Sequence, residues 1–209
     1  MPSLRRPVLI ASLLAAALAT GVGALVAEDI DPAAVLDSVK ASYEAKKYGK
    51  ALSDLQLVLA EIGRLRMEAL KVKLPGAPSG WTAEEAEGQS GGGIAFLTMG
   101  TNVKRRYTKG EQSSMEIELW ADAGTMLMGV QMLLSNPAFV PQGQQIVTIK
   151  GRRAVLEFHK DDGRGTLTIL LNAAGSMVKI EGSTITKADL TDVFGGALDL
   201  DAIEKAIQE

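Results

Sequence analysis

The sequence predicts an α+β fold: an N-terminal αα-hairpin followed by an antiparallel β-sheet with one packed apolar helix and short C-terminal helices. Three observations support this prediction. Apolar residues recur at spacings of three and four in the first third of the 209-residue chain, as on one face of a helix. From residue 94 the apolar period changes to two, as in half-buried strands. Turn signals then divide the following residues into short segments that suit hairpins.

The composition is that of a globular protein, because 46% of the residues are apolar and 22% are charged. The chain has no cysteine, which excludes disulfides, cysteine-ligated zinc and thiol catalysis. Its formal net charge is −3, whereas nucleic-acid-binding proteins carry concentrated positive charge. We therefore expect a packed protein that binds no nucleic acid.

Residues 1–27 have the layout of a bacterial secretory signal. Arg5 and Arg6 form a short basic region, residues 8–19 are apolar, and small residues follow before two acids. An uncleaved membrane anchor is the alternative, since the uncharged stretch is barely long enough to span a bilayer. We expect cleavage, a mature chain beginning near Glu28, and a periplasmic location. The arginine pair also partly fits a twin-arginine signal.

Residues 28–73 are predicted to form the helical hairpin. Asp31 can cap the first helix, with Pro32 in its first turn. The second helix is predicted from about Tyr48 to Val72, and its apolar stripe consists of Leu52, Leu55, Val58, Leu59, Ile62 and Leu65. The pattern YGKALSDLQLVL resembles half of a tetratricopeptide unit, which is too little for a solenoid. The stripe therefore needs some other partner surface.

Residues 74–93 are predicted to be a linker, because proline and glycine are frequent there. Within it, Thr82 and Glu85 have the capping-box spacing of a one-turn helix. The nearby acids suit an exposed helix start better than a cation site. The segment EGQSGGG lacks the Lys-Ser/Thr ending of a phosphate loop, so a connector is the better interpretation.

The segment VKRRYTKGEQSSMEIEL predicts a β-hairpin whose register decides which basic residues point inward. A two-residue turn would place Lys104 on the apolar face. A three-residue loop, residues 108–110 with Gly110 left-handed, directs Lys104 and Arg106 instead towards the glutamates of the next strand. Arg105 then points inward, where it must find a carboxylate, carbonyls or an anionic ligand.

Residues 144–181 are predicted to form an antiparallel meander. The segments QQIVTIK, RRAVLEFHK, GTLTILLN and SMVKIEG are separated by the turn signals KG, DG and NAAG. Thr186 and Asp189 have capping-box spacing, and DLDAIEKAI predicts a last short helix. Residues 94–209 are therefore expected to form one antiparallel α+β domain.

The uncharged segment of residues 125–135 predicts the helix that packs on this sheet. At 100° per residue, one side carries Met126, Val130, Leu133 and Leu134, with Leu127 at its edge. Met128 and Met132 lie on the opposite side. Two thioethers are few for a copper(I) site, whereas methionine suits an adaptable contact surface. We expect the N-terminal hairpin to cover them, with an external partner or apolar ligand as the alternative.

The order of these features resembles a family of uncharacterised exported proteobacterial proteins. They share a signal, a helical hairpin, LPGAPSGWTAEEAE, KRRYTKG, MLLSNPAF, and a strand meander closed by a DLDAI helix. The resemblance covers most of residues 33–209. The core also resembles, more distantly, the PsbP/Mog1-type α+β sandwich of several exported binding and assembly factors, through PSGW leading into antiparallel strands. These resemblances imply binding without a catalytic residue list, and add Trp81 to the candidates.

No residues form a convincing catalytic pattern. His159 is the only histidine, and it is expected to point outward near a turn, without the nucleophile and orienting group of a triad. A transition-metal site would also lack ligands, because the chain has one histidine and no cysteine. The basic residues Lys104, Arg105, Arg106, Arg152 and Arg153 could form an anion patch, although solvated pairs are the plainer interpretation.

We therefore predict a non-catalytic exported envelope protein that binds a partner protein or a small apolar or anionic ligand. The alternative is a periplasmic soft-metal binder that holds copper with methionines. The candidate binding residues are Trp81, Arg105, Met128 and Met132, and no catalytic residue, metal ligand or cofactor is expected. Membrane contact is expected only through an uncleaved signal.

Overall fold

The computed structural model of the protein describes residues 31–90, 100–136, 140–173 and 175–209. These residues belong to one compact unit, Asp31–Glu209. The predicted signal and the start of the predicted strand region, before residue 100, lie outside the described residues. The described part confirms the α+β class, since it combines helices with an antiparallel sheet.

Two antiparallel helices form the predicted hairpin, α1 (Pro32–Glu44) and α2 (Tyr48–Lys71). Asp31 caps α1 as predicted, since its Oδ1 accepts a hydrogen bond from the N–H of Ala33 at 3.0 Å. α1 packs along the first half of α2. Among the described residues, no helix is both long and apolar enough to cross a bilayer.

The sheet contains eight strands in the described part of the chain. They are β1 (Thr82–Ala83), β2 (Glu87–Ser90), β3 (Thr101–Lys109), β4 (Ser113–Ala121), β5 (Gln144–Ile149), β6 (Arg152–His159), β7 (Arg164–Leu170) and β8 (Met177–Ser183). Their order is β1-β3-β4-β8-β7-β6-β5, and β2 also pairs with β3. β5 to β8 are the predicted meander, which β8 joins to β4.

The segment predicted to be a linker contributes β1 and β2. Both lie along the outer edge of β3, where Gly88 is opposite Val103. Between them, the N–H of Glu84 donates to the carbonyl of Arg106 at 2.9 Å. The one-turn helix predicted over residues 82–85 is therefore wrong. Its backbone instead pairs with an edge that would otherwise present unpaired hydrogen-bonding groups.

In the β3–β4 hairpin each side chain points to the predicted face of the sheet, but the turn lies two residues later in the chain than predicted. Arg106 lies opposite Glu116 on the wet face, as predicted. The loop comprises residues 110–112 rather than 108–110, and Gly110 begins it with the left-handed φ of +62° that was expected. Because the loop still has three residues, the same side chains share a face wherever the turn lies along the chain.

The uncharged segment before the meander forms a 3₁₀ turn (Gly124–Leu127) and α3 (Met128–Ser135). α3 packs on the sheet, as predicted, where Val130 and Leu133 line a cleft with Val155 of β6. Val155 lies between two residues that face the core, so α3 covers the other face of the sheet. The side chain of Met126 lies outside the described residues.

The opposite face of the sheet carries the core. Its fully buried residues are Val103, Tyr107, Ile117, Leu119, Leu167, Ile169, Val178 and Ile180. They pack against the end of α2, a π-helix (Asp189–Phe194) and the C-terminal helix α4 (Leu200–Gln208). α4 is the predicted last helix, and Arg66 of α2 reaches it by donating to the carbonyl of Ile207 at 2.8 Å.

The helical segment before α4 begins with the predicted capping box. The N–H of Thr186 donates to Asp189 Oδ2 at 2.8 Å, and the N–H of Asp189 donates to Thr186 Oγ1 at 3.2 Å. The π-helix that follows presents Phe194 to the core, where its ring meets Tyr107 edge-on with centroids 4.9 Å apart.

An ion pair fastens α4 to the sheet. Glu204 accepts hydrogen bonds from Arg152 Nε and Nη2, both at 2.8 Å, and from the N–H of Asn172 at 2.8 Å. The Arg152 and Glu204 side chains are only 15% and 12% exposed. Hydrogen bonding from Arg152 lowers the pKa of the Glu204 carboxyl. Arg152, a candidate for the anion patch, is thus engaged within the fold.

This pair predicts how stability depends on pH. The depressed pKa of Glu204 means that its stabilising contribution is complete above the usual value of 4.5 and is lost as the pH falls through the lower folded-state pKa. We expect Glu204→Gln to lower the free energy of unfolding by about 1–3 kcal/mol at neutral pH, and to flatten the acid dependence. Urea unfolding at stepped pH measures both effects. An acid dependence equal to that of wild type, or an equal loss in the exposed control Glu111→Gln, would contradict this.

Candidate functional site

Arg105 points to the core side of β3, as predicted, and contacts backbone carbonyls. Its Nη1 donates to the carbonyls of Leu74 at 3.2 Å and Pro75 at 3.0 Å. The hydroxyl of Tyr107 donates to the same Pro75 carbonyl at 2.7 Å, and burial raises the pKa of Tyr107 to about 12. The two side chains therefore attach the chain after α2 to β3. Binding of an anionic ligand by Arg105 stays a prediction.

Trp81 is a core residue with one side near a surface cleft. It is buried, and its ring meets Phe194 edge-on with centroids 4.9 Å apart. Lys109 Nζ lies 5.8 Å from the centre of the Trp81 ring. Together with Lys109 and Asp162, Trp81 lines a cleft of about 460 Å³. The structure thus explains why a tryptophan suits this position by packing, and its role in binding stays a prediction.

Met128 and Met132 are exposed, at 68% and 55%. The expectation that the N-terminal hairpin covers them is wrong. α2 docks beside β2 and β3, whereas α3 packs beside β6. Three strands separate β3 from β6 in the sheet, a distance of roughly 19 Å at the usual strand spacing. α3 also lies on the other face, so the predicted site residues Trp81, Arg105, Met128 and Met132 do not form one site.

His159 lies at the exposed end of β6, as predicted. Its Nε2 is 2.9 Å from Glu157 Oε1, and Gln144 donates to the other carboxylate oxygen at 2.9 Å. Hydrogen bonding from Gln144 and then from His159 lowers the pKa of Glu157. The open polar groove of about 460 Å³ beside His159 also contains Ser114 and Ser183, which hydrogen-bond to each other at 2.9 Å. The two hydroxyls are therefore hydrogen-bonded to each other rather than to His159.

The described residues contain no group of three or more histidine, aspartate or glutamate side chains placed to hold a metal ion. The shifted carboxylates are explained by structural partners, as with Glu204 and Arg152. Such ion pairs and hydrogen bonds shift pKa values without any reaction at the site.

A run of exposed apolar side chains covers one side of the N-terminal hairpin. We call this surface the hairpin face, and it comprises Leu36, Tyr43, Tyr48, Leu52, Leu55 and Ile62, which are between 37% and 67% exposed. At 100° per residue, its four members on α2 lie within about 80° of one another. Tyr43 of α1 contacts Tyr48 of α2, with ring centroids 5.8 Å apart. The two helices therefore present one continuous surface.

On α2, the middle of the hairpin face lacks exposed charge. Residues 51–60 contain a single charged residue, Asp54, and it is buried against α1. Asp54 accepts hydrogen bonds from Lys50 Nζ at 2.5 Å and Ser38 Oγ at 2.8 Å, which together lower its pKa. Leu57, on the far side of α2, is also exposed. A helix with apolar residues on nearly all sides is usually covered by another surface.

The second half of α2 holds the hairpin to the sheet. Met67 and Leu70 pack on the core. Helix and strand approach so closely here that a Cβ at Gly88 would lie 2.7 Å from Met67 Cγ, so a larger residue at this position of β2 would have to displace the Met67 side chain. The stripe predicted to need a partner is thus divided between two settings. Val58 is buried within the hairpin, whereas Leu52 is exposed.

The hairpin face leaves roughly 600 Å² of apolar side-chain surface open, since fully exposed side chains of this size have about 150–250 Å² each. Isolated exposed leucines are ordinary, but a contiguous patch of several hundred Å² marks a contact surface. The sequence carried a signal for this site, namely the apolar stripe combined with the uncharged run. The sequence prediction placed the site instead at Trp81, Arg105, Met128 and Met132.

Comparison of the chain with protein-family models, with curated proteins and with solved structures finds no match. The resemblance to exported proteobacterial proteins and to the PsbP/Mog1-type sandwich therefore stays a prediction.

The attachment by Arg105 predicts a contrast between two neighbouring arginines. Arg105→Ala removes the Arg105 donor from the Leu74 carbonyl and leaves the Pro75 carbonyl with Tyr107 alone, and should lower the free energy of unfolding by about 1–3 kcal/mol. Arg106→Ala removes only an exposed pair with Glu116 and should cost less than about 0.5 kcal/mol. Urea unfolding of both variants measures the difference. Equal and small losses would show that the Arg105 contacts do not stabilise the fold.

Proposed function

We propose that this protein is a non-catalytic exported protein of the cell envelope, which binds a helical segment of a partner protein through the hairpin face. The observation that carries the proposal is the contiguous apolar surface of α1 and α2. The layout of residues 1–27 supports export.

The geometry of the hairpin face favours a helical partner. Two antiparallel helices with apolar side chains on the same side form a shallow groove between them. A helix binds such a groove through apolar residues at spacings of three, four and seven. Leu52 and Leu55 lie in the middle of the face, and no exposed charge from residues 51–60 lies beside them. Burial of charge therefore does not oppose docking there.

The polar surface supports binding rather than chemistry. The only histidine of the chain contacts Glu157 instead of a hydroxyl nucleophile, and the strongest polar cluster, around Glu204, fastens α4 to the sheet. Catalytic groups usually converge in a cleft where their pKa values are shifted towards the working pH. The pKa values of Glu204, Asp54 and Glu157 are instead lowered, away from neutral pH.

Substitutions on α2 test the proposal. Leu52→Lys places a charge on the hairpin face, whereas Leu57→Lys places the same charge on the far side of the same helix, where Leu57 is 46% exposed. Each tagged protein is used to capture proteins from the envelope fraction. We expect wild type and Leu57→Lys to capture the same partner, and Leu52→Lys to lose it while unfolding at the same urea concentration. Equal capture by all three would contradict a role for the hairpin face.

The alternative is a copper-binding protein, and one observation favours it. Met128 and Met132 are one helical turn apart on α3 and both are exposed, so their thioethers are available to a soft metal. We expect only weak copper(I) binding, because two thioethers are few ligands. Competition titration with a copper(I) chelator measures the affinity. Tight binding that is lost in the double variant Met128→Leu, Met132→Leu would establish the alternative.

A further inference from the structure

We propose that the helical segment bound by the hairpin face is the hairpin of a second copy of this chain, packed antiparallel about a two-fold axis near Leu55. This inference rests on the proposed function, because it names the partner of the same surface. The proposed dimer is closed, because both copies contact each other through the same residues.

The ends of the hairpin face on α2 are symmetric about the proposed axis. They are Tyr48 and Ile62, and Leu55 is the middle residue of that span. In an antiparallel pair, Tyr48 of one copy meets Ile62 of the second copy, and Leu55 meets its own equivalent. Leu65 is also exposed, but it lies about 60° further around the helix, outside this pairing.

The area of the hairpin face is on the scale that a stable dimer needs. A standard interface buries about 800 Å² on each partner, and the apolar side chains of the hairpin face alone supply roughly 600 Å². The helices also have room to approach. A Cβ added at Gly49, beside the stripe, would meet nothing within 4 Å, and Ser53 and Ala60 on the same flank are small.

The charges at the two ends of the hairpin favour the antiparallel arrangement. The tip carries the lysines Lys40, Lys46, Lys47 and Lys50, which outnumber the one acid there, Glu44. The base carries Asp31 at the start of α1 and, on α2, Glu61, which is paired with Arg64. Antiparallel packing places the lysine tip of each copy beside the less positive base of the other, whereas parallel packing would bring the lysines together.

The same distribution disfavours an anionic lipid surface as the occupant. The lysines at the tip would be attracted to anionic headgroups. However, Ile62 lies towards the base, where Asp31 would be repelled by the same surface. A second copy satisfies both ends at once, which a uniformly negative surface does not.

The absence of cysteine allows a direct test of the pairing in the full chain. Single cysteines are introduced at Tyr48, Leu55 or Ile62, and a short bis-maleimide is added to the purified proteins. We expect Leu55→Cys to cross-link by itself. Tyr48→Cys and Ile62→Cys should cross-link when the two variants are mixed, and far less when each is alone. Cross-linking of each variant alone without a gain on mixing would indicate parallel contact and overturn the inference.

Light scattering after size exclusion supplies an independent readout. Wild type should have about twice the mass of one chain and should dissociate on dilution. Leu55→Lys should be monomeric at all concentrations, whereas Leu57→Lys, with its charge about 200° away around α2, should remain dimeric. Matching urea midpoints for the two variants, measured at a concentration low enough for both to be monomeric, would show that the charge acts on association rather than on folding.

Other outcomes separate this inference from the proposed function. A monomeric wild type that captures an envelope protein through Leu52 would overturn the second copy and leave the proposed function standing. A monomer that captures nothing, but sediments with phosphatidylglycerol vesicles in a manner lost in Leu55→Lys, would overturn both. The wild type could also be a monomer whose intact mass still includes residues 1–30, and which dimerises only when those residues are removed. That result would make residues 1–30 the occupant of the hairpin face and would also overturn the inference.

Discussion

The attachment of the chain after α2 to β3 is the contact on which the arrangement of the molecule depends. Arg105 and Tyr107 bind the carbonyls of Leu74 and Pro75 from the core side of the sheet. This holds the end of α2 against the core and brings the following residues to the edge of β3, where they pair as β1 and β2. It also leaves the first half of α2, with α1, without support from the sheet, and thereby creates the hairpin face.

Most of the fold was predictable because its signals are local. Helix caps, two-residue turns and alternation involve neighbouring residues, and the predicted caps at Asp31 and Thr186 and the predicted meander are confirmed. The facing of Arg105 was predictable because it depends on whether the number of residues in the loop is odd or even, and not on where the loop lies. The strands over residues 82–90 were not predictable, because an edge strand forms by backbone hydrogen bonding that any side-chain pattern permits.

The candidate site was less predictable, because a helical stripe shows that a surface is apolar but does not show what covers it. The stripe of α2 and the methionines of α3 both lacked an obvious partner in the sequence, and matching them to each other was the simplest solution. The sheet prevents it, since α2 and α3 lie on opposite faces and near different edges. That separation follows from the order of strands across the sheet, which alternation within a strand does not encode.

α2 is one continuous helix in two environments, and this divides its amide hydrogens into two kinetic classes. Around Met67 and Leu70 the helix belongs to the core, so its amides exchange with solvent only when the whole structure opens. Around Leu52 the helix packs on α1 within the described part of the chain, and helices of this length are marginally stable without tertiary packing. Amides there exchange through local opening of the hairpin. Any occupant of the hairpin face must leave before either kind of opening, so it slows exchange in both halves of α2.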